Sequence, residues 1–510
     1  MKQIYYAIQN IIRGKDSTII KVVSLSLGLF VSIILFARVA LELSYDTFYQ
    51  NPEQLYLVQT SWDYKNGKGK PSLYNIYPTG ETLVRHFPKQ VVSSTVIYSF
   101  IGKTLKHGSQ KFQADLVMAD SAFFQTLGIP LLRGNALDLN TPDALFLSES
   151  LAREIFGDDE PVGKTLLWTG EKEVVVRGIF ADVPENVSIN TNAILSISGL
   201  TNRKDWNSGG NFLTMIRLKE GADADFINQR TATVFANYLP INDHYGQYGV
   251  IGIDISITPL VGFHLKESKT TTMICIMTLL GCLLLFASAF NYALISISSL
   301  SHRAKVIGVH KCSGAEAWNI FGMFLWETLF VVGVAILVVV FLILNFSEVI
   351  EELTDATVAG MFCWKNLWAP SIAIVLLFLI GCILPGRLFS TIPVTQVFRR
   401  YTQNKKRWKY PLLFVQFMGT AFLLCFVALI YFQHRYVLNK DLGWNSERLV
   451  YAHHSFANPL NGLSNLRNLP YVEGAENSFH LLLEAPLNVR WYTADSQFVI
   501  IYVCTFFVIN

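Results

Sequence analysis

Ala289–Phe330 reads AFNYALISISSLSHRAKVIGVHKCSGAEAWNIFGMFLWETLF, and its three parts decide the architecture. It opens in an uncharged apolar run, Thr270–Ser301. A short basic connection follows, with Arg303, Lys305, His310 and Lys311. A second long apolar run starts near Trp318. The first run exceeds the ~20 apolar residues that cross a bilayer. Cationic side chains beside such runs mark a cytoplasmic loop. The stretch therefore reads as a transmembrane hairpin whose tip faces the cytosol.

Working outward, composition agrees. The 510 residues are 51% hydrophobic and 15% charged, against ~25% charged in an ordinary soluble domain. The deficit sits in a few long runs, which makes the chain an integral membrane protein with a sizeable soluble part. A net charge of +3 gives no case for nucleic acid, and we expect no nucleic-acid partner. The seven cysteines all lie outside residues 44–267, so a disulfide framework is not expected there.

Upstream, residues 1–21 carry Lys2, Arg13, Lys15 and Lys21 against Asp16 alone, and Val22–Leu43 is apolar up to Arg38 and Glu42. The length of that run and the absence of an A-x-A site favour an uncleaved first span over a signal peptide. Arg38 is placed to snorkel toward the outer interface. Residues 44–267 hold no membrane-length run. Leu55–Thr60, Lys111–Met118, Glu173–Phe180 and Phe212–Leu218 read as strands. Ser148–Phe156 reads as a helix capped by Ser148, with Leu151, Ile155 and Phe156 on one face. This segment is expected to be an outer domain of two subdomains on a two-helix stalk. Downstream come a third span near Trp318–Phe346, an acidic loop with Glu348, Glu351, Glu352 and Asp355, and a fourth span, Leu367–Pro385. Residues 387–410 carry seven cations and no acid, a strong cytoplasmic signal, and Pro411–Gln433 is the fifth span.

The fold class follows: an α+β membrane protein, with transmembrane helices and a large α/β extracytoplasmic domain inserted between spans 1 and 2. Expected divisions are 1–43 (cytoplasmic N-terminus and span 1), 44–267 (outer domain), 268–400 (spans 2–4), 401–433 (basic linker and span 5) and 434–510. The last reads as the start of a second outer domain, cut short.

Candidate chemistry is sparse. Gly157–Thr165 mimics a phosphate-binding loop, but five residues separate Gly157 from Gly163, three of them acidic and one a proline. A P-loop has four, with N–H groups free to wrap phosphate. A structural turn is the better reading, so ATP hydrolysis must come from a partner and no cofactor is expected. Glu327 lies inside the third span, where a carboxylate costs ~2.5–3.5 kcal/mol to insert. It reads as a structural or coupling polar contact. A proton-carrying role is disfavoured because no second ionisable residue is evident deep in the other spans. His453-His454 lacks neighbours at ligand spacing, so no metal site is expected.

Four blocks carry a resemblance. They are SYDTFYQNPEQLYLV (Ser44–Val58); ALFLSESLAREIFGDDEPVGKTL (Ala144–Leu166) with VVVRGIFADVPEN (Val174–Asn186); the hairpin, with Asn291, Tyr292, Arg303, Ala304, Lys305, Gly308, Val309, Lys311, Gly314, Ala315 and Glu327; and LPGRLFSTIPVTQVFRR (Leu384–Arg400). Together they resemble the FtsX-like/MacB-type ABC transporter permease family, with a MacB-like periplasmic core domain. The resemblance implies a bacterial inner-membrane permease with a cytoplasmic N-terminus, working as a homodimer or pseudo-dimer with a separate ABC ATP-binding subunit. It implies ATPase coupling through Arg303, Lys305, Gly308, Lys311, Gly314 and Ala315, and an intramembrane polar contact at Asn291 and Glu327. Membrane lipids, and a periplasmic adaptor or envelope protein, are further implied partners. In such proteins nucleotide-driven closure moves the spans and reshapes the outer domain, for efflux or envelope-substrate handling. Val306, where the family usually has Glu, and Ser313 depart from the pattern. A membrane-anchored sensor or scaffold, and a non-functional fragment of a longer permease, are the alternatives.

Overall fold

A computed structural model describes residues 15–64, 67–99, 104–168, 172–200, 205–206, 211–238, 250–298, 307–390 and 409–440, with short pieces from 449 to 509. The long helices are α1 (Lys15–Leu43), α2 (Ser268–Ser298), α3 (Ala317–Asn345), α4 (Ser347–Thr354), α5 (Trp368–Ser390) and α6 (Lys409–Asn439). Among the described residues, five helices are long and apolar enough to cross a membrane. Their spans are Thr18–Leu43, Ser268–Ile297, Ala317–Asn345, Trp368–Arg387 and Leu413–Asn439. All five expected spans are present, with shifted ends. The fourth helix does not stop at Pro385; it runs through the proline to Ser390.

The outer domain is built on one sheet. Its main strands are β1 (Leu55–Tyr64), β2 (Val91–Tyr98), β3 (Thr104–His107), β4 (Gln110–Gln113), β5 (Leu116–Ala119), β6 (Ala144–Ser148), β7 (Thr165–Trp168), β8 (Lys172–Phe180), β9 (Ala193–Ser196), β10 (Phe212–Leu218) and β11 (Val250–Pro259). They lie in the order β11-β1-β10-β2-β5-β9-β6-β8-β7-β3-β4. The two subdomains expected from length therefore share a continuous sheet. The single strand expected over Lys111–Met118 is two, β4 and β5, broken at Ala114-Asp115.

At the centre, β5, β9 and β6 are buried along their whole length. Their unbroken apolar character and the parallel β5/β9 and β6/β8 pairs fit strands covered on both faces. The helix Glu149–Phe156 follows β6, and Ser148 caps it by accepting from the Leu151 N–H. Leu151, Ile155 and Phe156 are buried, as their spacing requires.

The first and last strands make the stalk. β1 pairs antiparallel with β11, Tyr56 opposite Pro259. Antiparallel pairing returns the chain to where it began, so the exit from α1 and the entry to α2 lie side by side. Within the bilayer, Leu25, Leu29, Ile33, Ala37 and Leu41 form a stripe along α1. They share one core with Leu285 and Ala289 of α2, Val331 and Ala335 of α3, and Ala373 and Leu377 of α5. Residues Thr420–Asn510 form a second unit, holding most of α6 and a few short strands.

Candidate functional site

The hairpin tip comes first. Arg303, Lys305 and Val306 lie outside the described residues, as do His453 and His454. Residues 307–312 are helical, with Gly308 buried. The turn ends when Ala315 N–H donates to the His310 carbonyl (3.0 Å) and Gly314 N–H to the Lys311 carbonyl (3.1 Å). That is a Schellman stop, and its C′ residue needs positive φ. Gly314 supplies it at φ +87°. Glu316 then starts α3 in extended backbone.

Lys311 points inward: its Nζ donates to the carbonyl of Ser390, the last residue of α5, at 2.8 Å. A cation at a helix C-terminus is stabilised by the helix dipole. Among the described residues, the tip exposes Val309 (59%), Cys312, Ser313, Gly314 and Glu316, with Trp318 (73% exposed) just beyond. Trp318 stacks on Phe321 with ring centroids 5.4 Å apart.

Inside the bundle, Glu327 is 5% exposed and accepts from Lys21 Nζ at 3.1 Å, with Lys21 at 0%. This corrects the expectation that no second ionisable residue lies deep in the spans. The periodicity of the apolar run starts it at Val22, but α1 begins earlier and carries Lys21 into the bundle. Beside the pair, Tyr292 OH donates to Thr328 Oγ1 at 3.0 Å, and the Lys21 ammonium sits 5.7 Å from the Tyr292 ring centroid. Asn291 Nδ2 donates to Ser24 Oγ on α1.

The α1–α2 contact is close. A Cβ on Gly28 would come within 2.5 Å of Ser288 Cβ, and Ser32 Oγ donates across to the Gly281 carbonyl at 3.2 Å. Ser24, Gly28 and Ser32 recur every fourth residue, the small-residue pattern that lets membrane helices approach. That signal was present in the sequence and was not read.

The outer junction joins three segments. Glu42 pairs with Arg38 one turn earlier and with His264 from the end of the outer domain. The His264 ring stacks on Tyr45 at 3.8 Å. Arg38 does not simply snorkel: its Nε donates to the Thr354 carbonyl at the end of α4 (3.0 Å). Asn186 Nδ2 donates to the Ser44 carbonyl (3.1 Å), and Ser188 donates through N–H and Oγ to Asp46 (both 2.6 Å). Burial pushes the Asp46 carboxyl above its ordinary range despite those two bonds. Glu185 accepts from the Thr357 N–H (3.1 and 3.0 Å) in the connection between α3 and α5. The stretch Val174–Asn186 thus ends by gripping both the stalk and the α3–α5 connection. The Gly157–Thr165 segment is a turn in which Lys164 Nζ bonds Asp159 at 2.7 Å.

The profile of the MacB-like periplasmic core domain matches residues 18–234, and that of the FtsX-like permease C-terminal domain matches residues 278–394. Between them they cover more than half of the 510 residues. The chain belongs to the FtsX/MacB-type ABC permease family. This permease is 24% identical over 264 residues to the macrolide export ATP-binding/permease protein MacB of Neisseria gonorrhoeae, covering 50% of the chain and 39% of that relative. The figures for the protein of the same name from Neisseria meningitidis are the same. The alignment thus spans well under half the length of these curated relatives. Among solved structures, a domain of a putative permease from Porphyromonas gingivalis is similar at 18% identity and a TM-score of 0.38, covering 41% of this chain and 91% of that one. The periplasmic region of MacB from Actinobacillus actinomycetemcomitans is similar at 16% identity and a TM-score of 0.29, covering 41% and 93%. The permease is a multi-pass membrane protein with a periplasmic domain.

Proposed function

We propose that this chain is the permease subunit of an ABC transporter in a bacterial inner membrane, with its N-terminus in the cytosol. It receives movement from a separate ATP-binding subunit at the hairpin tip and passes it to the periplasmic domain, for efflux or envelope-substrate handling. Two such chains, or a pseudo-dimer, would work with two ATP-binding subunits. The observation that carries this reading is the tip. A Schellman stop gives it a defined shape, and the Lys311–Ser390 bond ties it to α5. Its exposed Val309 and Trp318 offer apolar side chains, and Gly314 a close backbone approach, to a cleft on a partner.

From the tip the path runs along α3 to Glu327 and Lys21, up α1 to Arg38 and Glu42, and into the periplasmic domain through His264, Asn186 and Glu185. Gly308 and Ala315 shape this tip rather than contact the partner. Lys311 holds it to α5. Arg303 and Lys305 remain proposed contacts.

The test is the ATPase rate of the cognate ATP-binding subunit, co-expressed with this chain and reconstituted in lipid. The wild-type chain is expected to change the rate. Trp318→Asp, which alters a side chain 73% exposed and removes only its stacking on Phe321, is expected to abolish that change and to weaken co-purification. A rate identical for both chains would remove the tip from the coupling path.

A further inference from the structure

The connection between α3 and α5 has a divided surface. On α4, a 100° step per residue places Phe346, Val349 and Leu353 on one side and Glu348, Glu351 and Glu352 on the other. Ile350 is buried in the bundle core, whereas Phe346, Val349 and Leu353 (81% exposed) are uncovered. Further on, Trp364 (89% exposed) and Trp368 are also uncovered, and Lys365 between them is the cation of this acidic segment. Leu337, Phe341 and Leu344 of the spanning helix α3 are exposed as well, and Phe346, just past the helix end, is 51% exposed.

We propose that this connection lies in the outer leaflet of the bilayer, at the boundary of headgroups and acyl chains, and anchors the periplasmic domain to the lipid. Three features select lipid as the occupant. The exposed apolar residues follow at once in the chain on a spanning helix whose own exposed side chains, Leu337, Phe341 and Leu344, are apolar. Paired tryptophans are the residues enriched at the membrane–water interface. A short helix split into an acidic side and an apolar side can lie in the interface plane, acids in water and apolar groups in lipid. The anchoring follows from hydrogen bonds already described. Arg38 Nε holds the Thr354 carbonyl, and Glu185 of the periplasmic domain holds the Thr357 N–H and its Oγ1, the latter at 3.0 Å. The depth of the connection in the leaflet therefore sets the footing on which the periplasmic domain stands.

The experiment places a benzophenone amino acid at Leu353, and at Glu352 as the control, in the full chain reconstituted in phosphatidylethanolamine and phosphatidylglycerol. Irradiation is followed by mass spectrometry. A phospholipid adduct at position 353 and its absence at 352 is the expected result. A crosslink joining two chains at 353 would make the patch an interface between copies, no adduct at either position would put it in water, and equal adducts at both would erase the division between a lipid side and a water side; each overturns the proposal. In the same bilayers, Leu353→Lys is expected to speed amide hydrogen exchange at Thr357 and Gly360. Unchanged exchange there would disconnect lipid seating from the periplasmic domain. Neither readout needs ATP or an ATP-binding subunit, so both stand or fall apart from the coupling reading.

Discussion

At its inner end α1 buries Lys21 against one carboxylate of α3; at its outer end Arg38 and Glu42 share His264, Tyr45 and the Thr354 carbonyl. The inner contact is one ion pair with both members almost wholly buried, beside the Tyr292 ring and its bond to Thr328. The outer one is a network spread over the stalk, the periplasmic domain and the α3–α5 connection. A buried pair is all or nothing, because removing one partner strands the other charge out of water. A network degrades by parts, because each group keeps other partners. In the proposed coupling path, the inner joint is the one that holds or fails as a whole and the outer joint the one that yields by parts.

The largest effect should come from the inner pair. Glu327→Ala takes the carboxylate away from the buried Lys21 ammonium and is expected to destabilise the bundle by about 3–5 kcal/mol. Unfolding of the purified chain in mixed micelles would show it. Lys21→Met with Glu327→Leu should recover most of the loss, since an apolar pair of similar volume often replaces a buried ion pair without cost. A single substitution as benign as the double one would erase the contrast between the two ends.

Next comes the helix contact between them. Gly28→Val drives a side chain into Ser288 and should cost about 1–3 kcal/mol by overpacking. Disulfide trapping between α1 and α2 would report their separation, and unchanged trapping would mean the helices are not in register through Gly28.

At the outer end, Glu185→Ala removes one anchor of several and should cost only about 1 kcal/mol. Its signature is local: faster amide exchange at Thr357 with the bundle unaffected. Global destabilisation would make the outer joint as brittle as the inner one.

The smallest effect is a pH dependence in the periplasmic domain. Burial pushes the Asp120 carboxyl above its ordinary 3.8, despite hydrogen bonds from Thr95, Val96 and Ala122. The folded state then binds that proton more tightly than the unfolded chain. The resulting stability is fully present below 3.8 and is lost as pH rises through the higher folded value. Asp120→Asn should flatten the fall in stability with pH just above 3.8. Asp46, displaced in the same direction, should leave a residual slope. A slope unchanged by Asp120→Asn would assign the whole dependence to the junction.

Much of this was legible in the residues. Span number, the position of the inserted domain and the Ser148 cap follow from run length, charge and local periodicity, which act over a few neighbours. β10 is read to the residue, because Phe212–Leu218 is bounded by turn formers and needs no distant partner to be recognised. The site was read less well. Gly308, Lys311, Gly314 and Ala315 read as one coupling set from their place between two spans, but the Lys311–Ser390 bond to the end of α5 is a contact between distant segments that no local pattern indicates. Glu327 was recognised as costly, yet its partner was not, since Lys21 reads as one more cytoplasmic cation when counted with Lys2, Arg13 and Lys15.

The sequence by itself determined that the chain crosses a membrane several times, carries a large α/β domain between its first two spans, and turns a small, glycine-stopped hairpin between the second and third. Each of these depends on hydrophobic run length or on a local backbone preference. Tertiary structure alone decided what each of these charges meets: Lys21 meets Glu327, Arg38 the Thr354 carbonyl, and Glu185 the Thr357 N–H. These partners lie 172 to 316 residues apart, and no local rule connects them. They meet because the antiparallel pairing of β1 with β11 brings α1 and α2 together, and the small residues on α1 let the bundle close around it.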